Sequence, residues 1–168
     1  MLIGVVSDTH DNVAAANRIA DRFEAAAVDL VIHCGDYIAP PVLPAFRGFE
    51  VHGVLGNNDG EVLGLQAGFD SLGEDSRLHG RFADLTVDGT RIAVLHGENL
   101  EEVNGLAAGS SYDYVLYGHH HSHVRRTVGE TVVINPGAHF PTVSEEHRRV
   151  ALIDTAGEDR FLDVAGEP

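Results

Sequence analysis

Leu2-Ile3-Gly4-Val5-Val6-Ser7-Asp8-Thr9-His10 decides how the rest of the chain is read. The apolar run Leu2 to Val6 reads as a buried first strand, and an amphipathic helix pattern begins just after it. Asp8 and His10, two residues apart at a strand end, point to one side of an extended backbone. A rigid element would thereby present one hard oxygen and one imidazole to a metal ion. One such pair is weak evidence; the other strand ends decide the matter.

Outward from this stretch, the spacing predicts a helix from about Asn12 to Ala27, with Val13, Ala16, Ala20, Phe23 and Ala27 on its apolar stripe. Leu30 to Cys34 is continuously apolar apart from His33, as in a parallel strand buried on both faces, and ends at Gly35-Asp36. Two strands around a helix make a βαβ unit. Pro40 and Pro41 open a short helix through Phe46, where a missing N–H costs little. A third strand, about Glu50 to Leu55, stops at Gly56-Asn57-Asn58-Asp59. Between Gly60 and Gly80 the pattern predicts a short helix near Val62 to Gln66 and then loop.

From Phe82 the character changes to hairpins. Asp88-Gly89 is a two-residue turn signal, and the strand Arg91 to Leu95 ends at His96-Gly97. Asn99 with Glu102 forms an Asn-led capping box before a helix with Leu100, Val103, Leu106 and Ala107 on its apolar face. Tyr112 to Tyr117 reads as a strand ending at Gly118-His119-His120-His121. Val124 to Val128 and Thr131 to Ile134 flank Gly129-Glu130, and Arg149 to Asp154 pairs with Arg160 to Val164. There is no repeat, low-complexity tract or linker, so 1–168 is expected to be one domain.

Collected, the strand ends carry Asp8, His10, Asp36, Asn57, His96, His119 and His121. Ligands gather outside the carboxyl ends of strands in α/β sheets. Seven donors exceed what one ion can take while holding substrate. They suit two ions about 3.5 Å apart sharing a carboxylate. Mixed imidazole and oxygen donors favour Mn, Ni, Fe, Co or Zn over Mg or Ca.

Composition narrows the setting. Hydrophobic residues make up 43% of 168, ordinary for a globular chain. No apolar run reaches the ~20 residues of a membrane helix, and the first strand is too short for a signal peptide. A cytoplasmic location is expected. Cys34 reads as a buried structural thiol. Twenty-six acidic residues face 11 basic ones, a net charge of −15, and every basic residue is Arg. That field disfavours nucleic acid and anionic membranes as partners and suits life in concentrated salt, where repulsion is screened. A halophilic source is expected, and a homo-oligomer is compatible with this sequence.

The ordered motifs Asp8-x-His10, Gly35-Asp36, Gly56-Asn57-x-Asp59, His96-Gly97 and Gly118-His119-x-His121 resemble those of the calcineurin-like metallophosphoesterases. Length and the Gly-Asn-Asn-Asp form are most similar to the small YfcE-type phosphodiesterase branch, which also contains the Vps29-type retromer subunit. The resemblance implies a four-layer α/β/β/α sandwich of two mixed sheets. It implies that Asp8, His10 and His121 hold one divalent ion and that Asn57, His96 and His119 hold the other, with Asp36 bridging. The activity it implies is hydrolysis of a small phosphate ester, with a diester as the preferred class, by a metal-bridging hydroxide. Its rivals are a phosphomonoesterase or nucleotidase, and a non-enzymatic interaction module.

Three departures bear on mechanism. Larger members place His after the ligand Asn; the catalytic position here is Asn58, and an amide is no general acid at neutral pH. Asn135-Pro136-Gly137-Ala138 lacks the Ser usual in small members. His120 and His123 flank the last ligand pair as candidate supplementary acids. Asn12 is a candidate phosphate contact or helix cap, Asp59 a candidate orienter of a ligand, and His139 a candidate pocket residue. His33, His52, His79 and His147 receive no role.

Overall fold

In the computed structural model, which describes residues 1–164, the opening stretch forms β1 (Leu2–Val6) at the centre of a six-stranded sheet. α1 (Val13–Ala25) returns the chain to β2 (Leu30–His33), parallel to β1 with Val6 opposite His33. A 3-10 helix, Pro40–Phe46, leads to β3 (Glu50–Gly53), parallel to β2. Pro44 inside that helix removes a donor and keeps it from becoming α-helical.

The Asn12 side chain caps α1 by accepting from the Ala15 N–H. The buried face of α1 is Ala15, Ala16, Ile19, Ala20 and Phe23. Val13 is 40% exposed and Ala27 lies past the helix, in the left-handed region, so both leave the expected stripe. α2 spans Val62–Asp70, one turn longer than the sequence pattern predicts, and is followed by a short edge strand, β4 (Arg77–Leu78), where loop is expected. Phe69 buries the extra turn against the core, beside Leu65 of the expected one. That tertiary burial outweighs the weak helical periodicity of a Gly-rich segment.

The second sheet holds β5 (Phe82–Val87), β6 (Thr90–Leu95), β7 (Tyr114–Leu116), β8 (Val124–Val128) and β9 (Thr131–Asn135), in the order β5-β6-β7-β9-β8. Asp88-Gly89 turns β5 into β6 as expected. α3 (Leu100–Ala108) buries Val103 and Ala107, whereas Leu100 is 43% exposed. Asn99 caps α3 by accepting from the Glu101 N–H, one residue before the Glu102 N–H that the expected capping box would use. β10 (Arg149–Asp154) pairs antiparallel with β1, and β11 (Arg160–Asp163) closes that edge of the first sheet.

Three apolar clusters define the layers. Phe23, Leu43, Phe46 and Phe69 fill the space between the first sheet and its helices. Ile3, Ile32, Cys34, Ile92, Leu116 and Ile153 fill the space between the sheets. Val103, Ala107, Val115 and Val133 lie between the second sheet and α3. The order is helix, sheet, sheet, helix: the α/β/β/α sandwich. Cys34 is fully buried in its central layer, and burial pushes its thiol pKa up. No helix of the described residues is long and apolar enough to cross a membrane.

Candidate metal centre

The parallel strands β1, β2 and β3 of one sheet, and β6 and β7 of the other, end at the same side of the sandwich. The polar residues beyond those ends meet there. Asp8 and His10 are not part of β1, which ends at Val6. They sit in a left-handed turn, with φ of 53° and 44°. The turn brings the two side chains together, not the pleat of a strand.

Asp8 is fully buried. Its Oδ2 accepts from the Ser7 hydroxyl at 2.6 Å and from the His119 N–H at 3.0 Å. Its Oδ1 has no hydrogen-bond partner and faces three imidazoles. His121 Nε2 lies 3.3 Å away, His10 Nε2 3.6 Å and His96 Nε2 4.0 Å. Asp36 Oδ2 stands 3.3 Å from His10 Nε2 and 3.4 Å from His96 Nε2. On the outer side, His119 Nδ1 is 2.9 Å from Asn57 Oδ1, and the His119 ring centroid is 5.2 Å from that of His96. The structure thus brings the expected ligand residues close to one another beyond the strand ends.

Each buried ligand is tied from behind. His96 Nδ1–H donates to the Cys34 carbonyl across the two sheets, which leaves Nε2 as the free lone pair. Asn58 donates to Asp36 twice, from its main-chain N–H at 2.9 Å and from its side-chain amide at 2.7 Å. Asp59 accepts from the N–H groups of Gly56, Asp36 and Ile38, fastening the end of β3 to the loop after β2. Close approach also explains two glycines. A Cβ on Gly56 would collide with Asp36 Oδ1, and one on Gly118 with the Ser7 hydroxyl.

Electrostatics follow from this packing. Burial works against the charge on Asp8, yet His10, His121 and His96 hold it well below the usual carboxylate range. Asp36 behaves alike, against burial, through His10, His96 and the Asn58 N–H. Burial opposes a proton on His10, but Asp36 and Asp8 push its pKa up to about 9.

The donor set fits a cation. Asp8 Oδ1, His10 Nε2 and His96 Nε2 are buried polar atoms without a hydrogen-bond partner, an arrangement that is costly unless a proton or a cation sits among them. Asp8, His10 and His121 form one group able to surround an ion, and Asp8, Asp36 and His96 another.

A family model described as the calcineurin-like phosphoesterase superfamily domain matches residues 1–158. The chain belongs to that superfamily. Among its members, Phosphodiesterase MJ0936 of Methanocaldococcus jannaschii is 32% identical over 139 residues, covering 82% of this chain and 83% of that protein. A solved structure of a novel archaeal phosphodiesterase superposes with a TM-score of 0.87 at 28% identity, over 97% of this chain and 99% of the other. A single mutant of Vps29 from Entamoeba histolytica shares the superfamily fold, with a TM-score of 0.64 at 16% identity over 97% and 99% of the two chains.

Other candidate residues resolve by their contacts. Both polar atoms of Asn12 are engaged, one capping α1 and one donating to the His139 carbonyl at 2.6 Å, so Asn12 is a cap and not a free phosphate contact. His139 is buried, at 2% exposure. Its N–H binds the Asp8 carbonyl. His120 donates to the Gly97 carbonyl at 3.2 Å, and His123 pairs with His147 at 2.9 Å.

Sequence reasoning missed three supports. Ser7 holds Asp8. Phe140 packs against the rings of His10 and His121, at centroid distances of 4.6 and 4.7 Å. Asn135 donates to the Gly118 carbonyl at 2.7 Å and accepts from the Gly137 N–H. Asn-Pro-Gly was the available signal for the last: its Asn, not the absent Ser, reaches the ligand-bearing turn.

Proposed function

We propose that this chain is a dimetal phosphodiesterase acting on a small phosphate ester. The convergence of Asp8 Oδ1, His10 Nε2 and His96 Nε2, buried and without hydrogen-bond partners, carries the reading. In it, Asp8, His10 and His121 hold one divalent ion, Asn57, His96 and His119 the other, and Asp36 is shared. The donor chemistry favours Mn or Ni, with Zn, Fe and Co also suited. Divalent ions held there supply water activation near neutral pH and offset charge building on the phosphoryl oxygens.

The protein's own part is orientation. Ser7 and the His119 N–H occupy one oxygen of Asp8 and aim the other inward. The Cys34 carbonyl fixes which nitrogen of His96 faces the site. Asn58 donates to Asp36, so it holds that carboxylate and gives no proton to a leaving group. The diester preference is supported by Asn58 in place of an acid and by the phosphodiesterase relatives.

Bis-p-nitrophenyl phosphate, assayed with manganese or nickel in low and in molar potassium chloride, tests the reading. Metal-dependent turnover is expected, faster than with the monoester. The acidic, lysine-free composition supports salt adaptation, so the melting temperature should rise in molar salt. Absence of turnover with every divalent metal would favour the interaction-module alternative. Faster monoester cleavage would favour a phosphomonoesterase.

A further inference from the structure

His33 closes β2 and is 1% exposed, on the helix-facing side of the first sheet. Its Nδ1 lies 3.2 Å from the Gly35 main-chain nitrogen, which can only donate. Nδ1 is therefore the acceptor and Nε2 carries the proton. That Nε2–H faces the hydroxyl of Thr9 at 3.1 Å. Thr9 is itself fully buried between Asp8 and His10. The ring stacks on Tyr37 at 3.8 Å, and the Tyr37 hydroxyl donates to the His33 carbonyl. Burial pushes the His33 pKa down to about 3, so the neutral ring persists at any working pH.

One imidazole therefore touches two turns. Its Nε2 side holds Asp8-Thr9-His10, and its Nδ1 side holds Gly35-Asp36. Both turns are strained: Asp8, His10 and Asp36 all have positive φ. Such non-glycine conformations are costly and persist only where the surroundings impose them. Main-chain bonds from Asp8 N–H to the Gly35 carbonyl and from His10 N–H to the Asp36 carbonyl lay the turns side by side. The stacked ring adds a rigid spacer beneath them.

We propose that His33, as the Nε2–H tautomer, is a positioning residue that sets the distance between the Asp8–His10 turn and Asp36. It thereby tunes divalent-ion affinity through Thr9 and Gly35. The proposal rests on the dimetal reading of the site. Groups that orient metal ligands in this way are worth ~10- to 100-fold in affinity.

Cobalt(II) titration, read by its visible absorption, tests it alongside the melting temperature of the metal-free protein. Thr9→Val removes the acceptor at nearly constant volume and should weaken cobalt binding by about tenfold or more and alter the spectrum. Thr9→Ser keeps the hydroxyl and should bind within about twofold of wild type, well inside that loss. His33→Phe keeps the stack and loses both bonds; combined with Thr9→Val it should cost little more than His33→Phe alone. Wild-type affinity and spectrum in Thr9→Val, with only a lowered melting temperature, would overturn the proposal. Should His33→Phe fail to fold, the Thr9 pair decides alone. A wild-type protein that binds no cobalt would instead remove the dimetal reading, and this proposal with it.

Discussion

The two sides of the proposed metal centre differ in how they are held. Asp8, Asp36 and His96 are buried, and each is fixed from behind by a partner: Ser7 and the His119 N–H, Asn58, and the Cys34 carbonyl. On the other side Asn57 is exposed, His119 is half-buried and the His121 side chain is 38% exposed. A buried carboxylate among imidazoles is arranged before any ion arrives. An exposed imidazole has water as an alternative partner and takes its final place when the ion does. In the dimetal reading, one side would supply geometry and charge and the other capture and release.

Paired substitutions break or sharpen this contrast. The largest effect is expected from Asp36→Asn, which keeps the shape and removes the central charge. Turnover should fall on the order of 10²–10³-fold, and excess metal should not restore it. His121→Ala, on the open side, should be largely rescued by raising the metal concentration, since mass action offsets a weaker site. Metal titrations of both variants, with turnover as readout, check the pair. Equal rescue of the two would erase the distinction.

A second contrast concerns protons. In the metal-free protein the pKa of His10 is raised to about 9 from 6.5. Its protonated form therefore contributes stability below about pH 6.5, and that contribution is lost as pH rises through about 9. Metal must displace this proton, so affinity should climb by up to about tenfold per pH unit and level off above pH 9. Calorimetric titration in buffers of differing ionisation enthalpy counts the protons released. Affinity independent of pH from 6.5 to 9 would contradict the protonated His10.

The smallest effect is expected at Asn58. Asn58→Ala removes the amide bond to Asp36 Oδ2, but the main-chain N–H to Oδ1 stays. Loss of one charge-assisted bond, about 1.5 kcal/mol, should lower kcat roughly tenfold at most and the melting temperature by a few degrees. A larger fall, accompanied by a changed pH profile, would show that Asn58 meets the substrate directly.

Strand ends were legible in the sequence because each joins an apolar run to Gly and a chelating residue. Asp36, Asn57, His96 and His119 lie beyond the strands where the pattern puts them. The Asp8–His10 turn was legible as a motif but not as a conformation. Alternation along a strand predicts that residues two apart share a side; the chain reaches a similar outcome through positive φ. α2 was read short because Gly64 and Gly68 dilute its apolar stripe, although these glycines let the helix approach Pro40 and Leu43. His33 carries no separate signal, and Asn135 only the Asn-Pro-Gly motif, which does not say what its amide reaches. They act through hydrogen bonds that exist only once β2 lies beside β1 and the turn after β7 lies beside β9.

The bond from His96 to the Cys34 carbonyl joins residues 62 positions apart in sequence. It belongs to neither sheet alone, since one partner follows β2 and the other follows β6. Half of this molecule, however well folded, would own only part of a chelate. In the dimetal reading, cation uptake would therefore report docking of the two halves, and a bound ion would act as a removable cross-link across the seam between them.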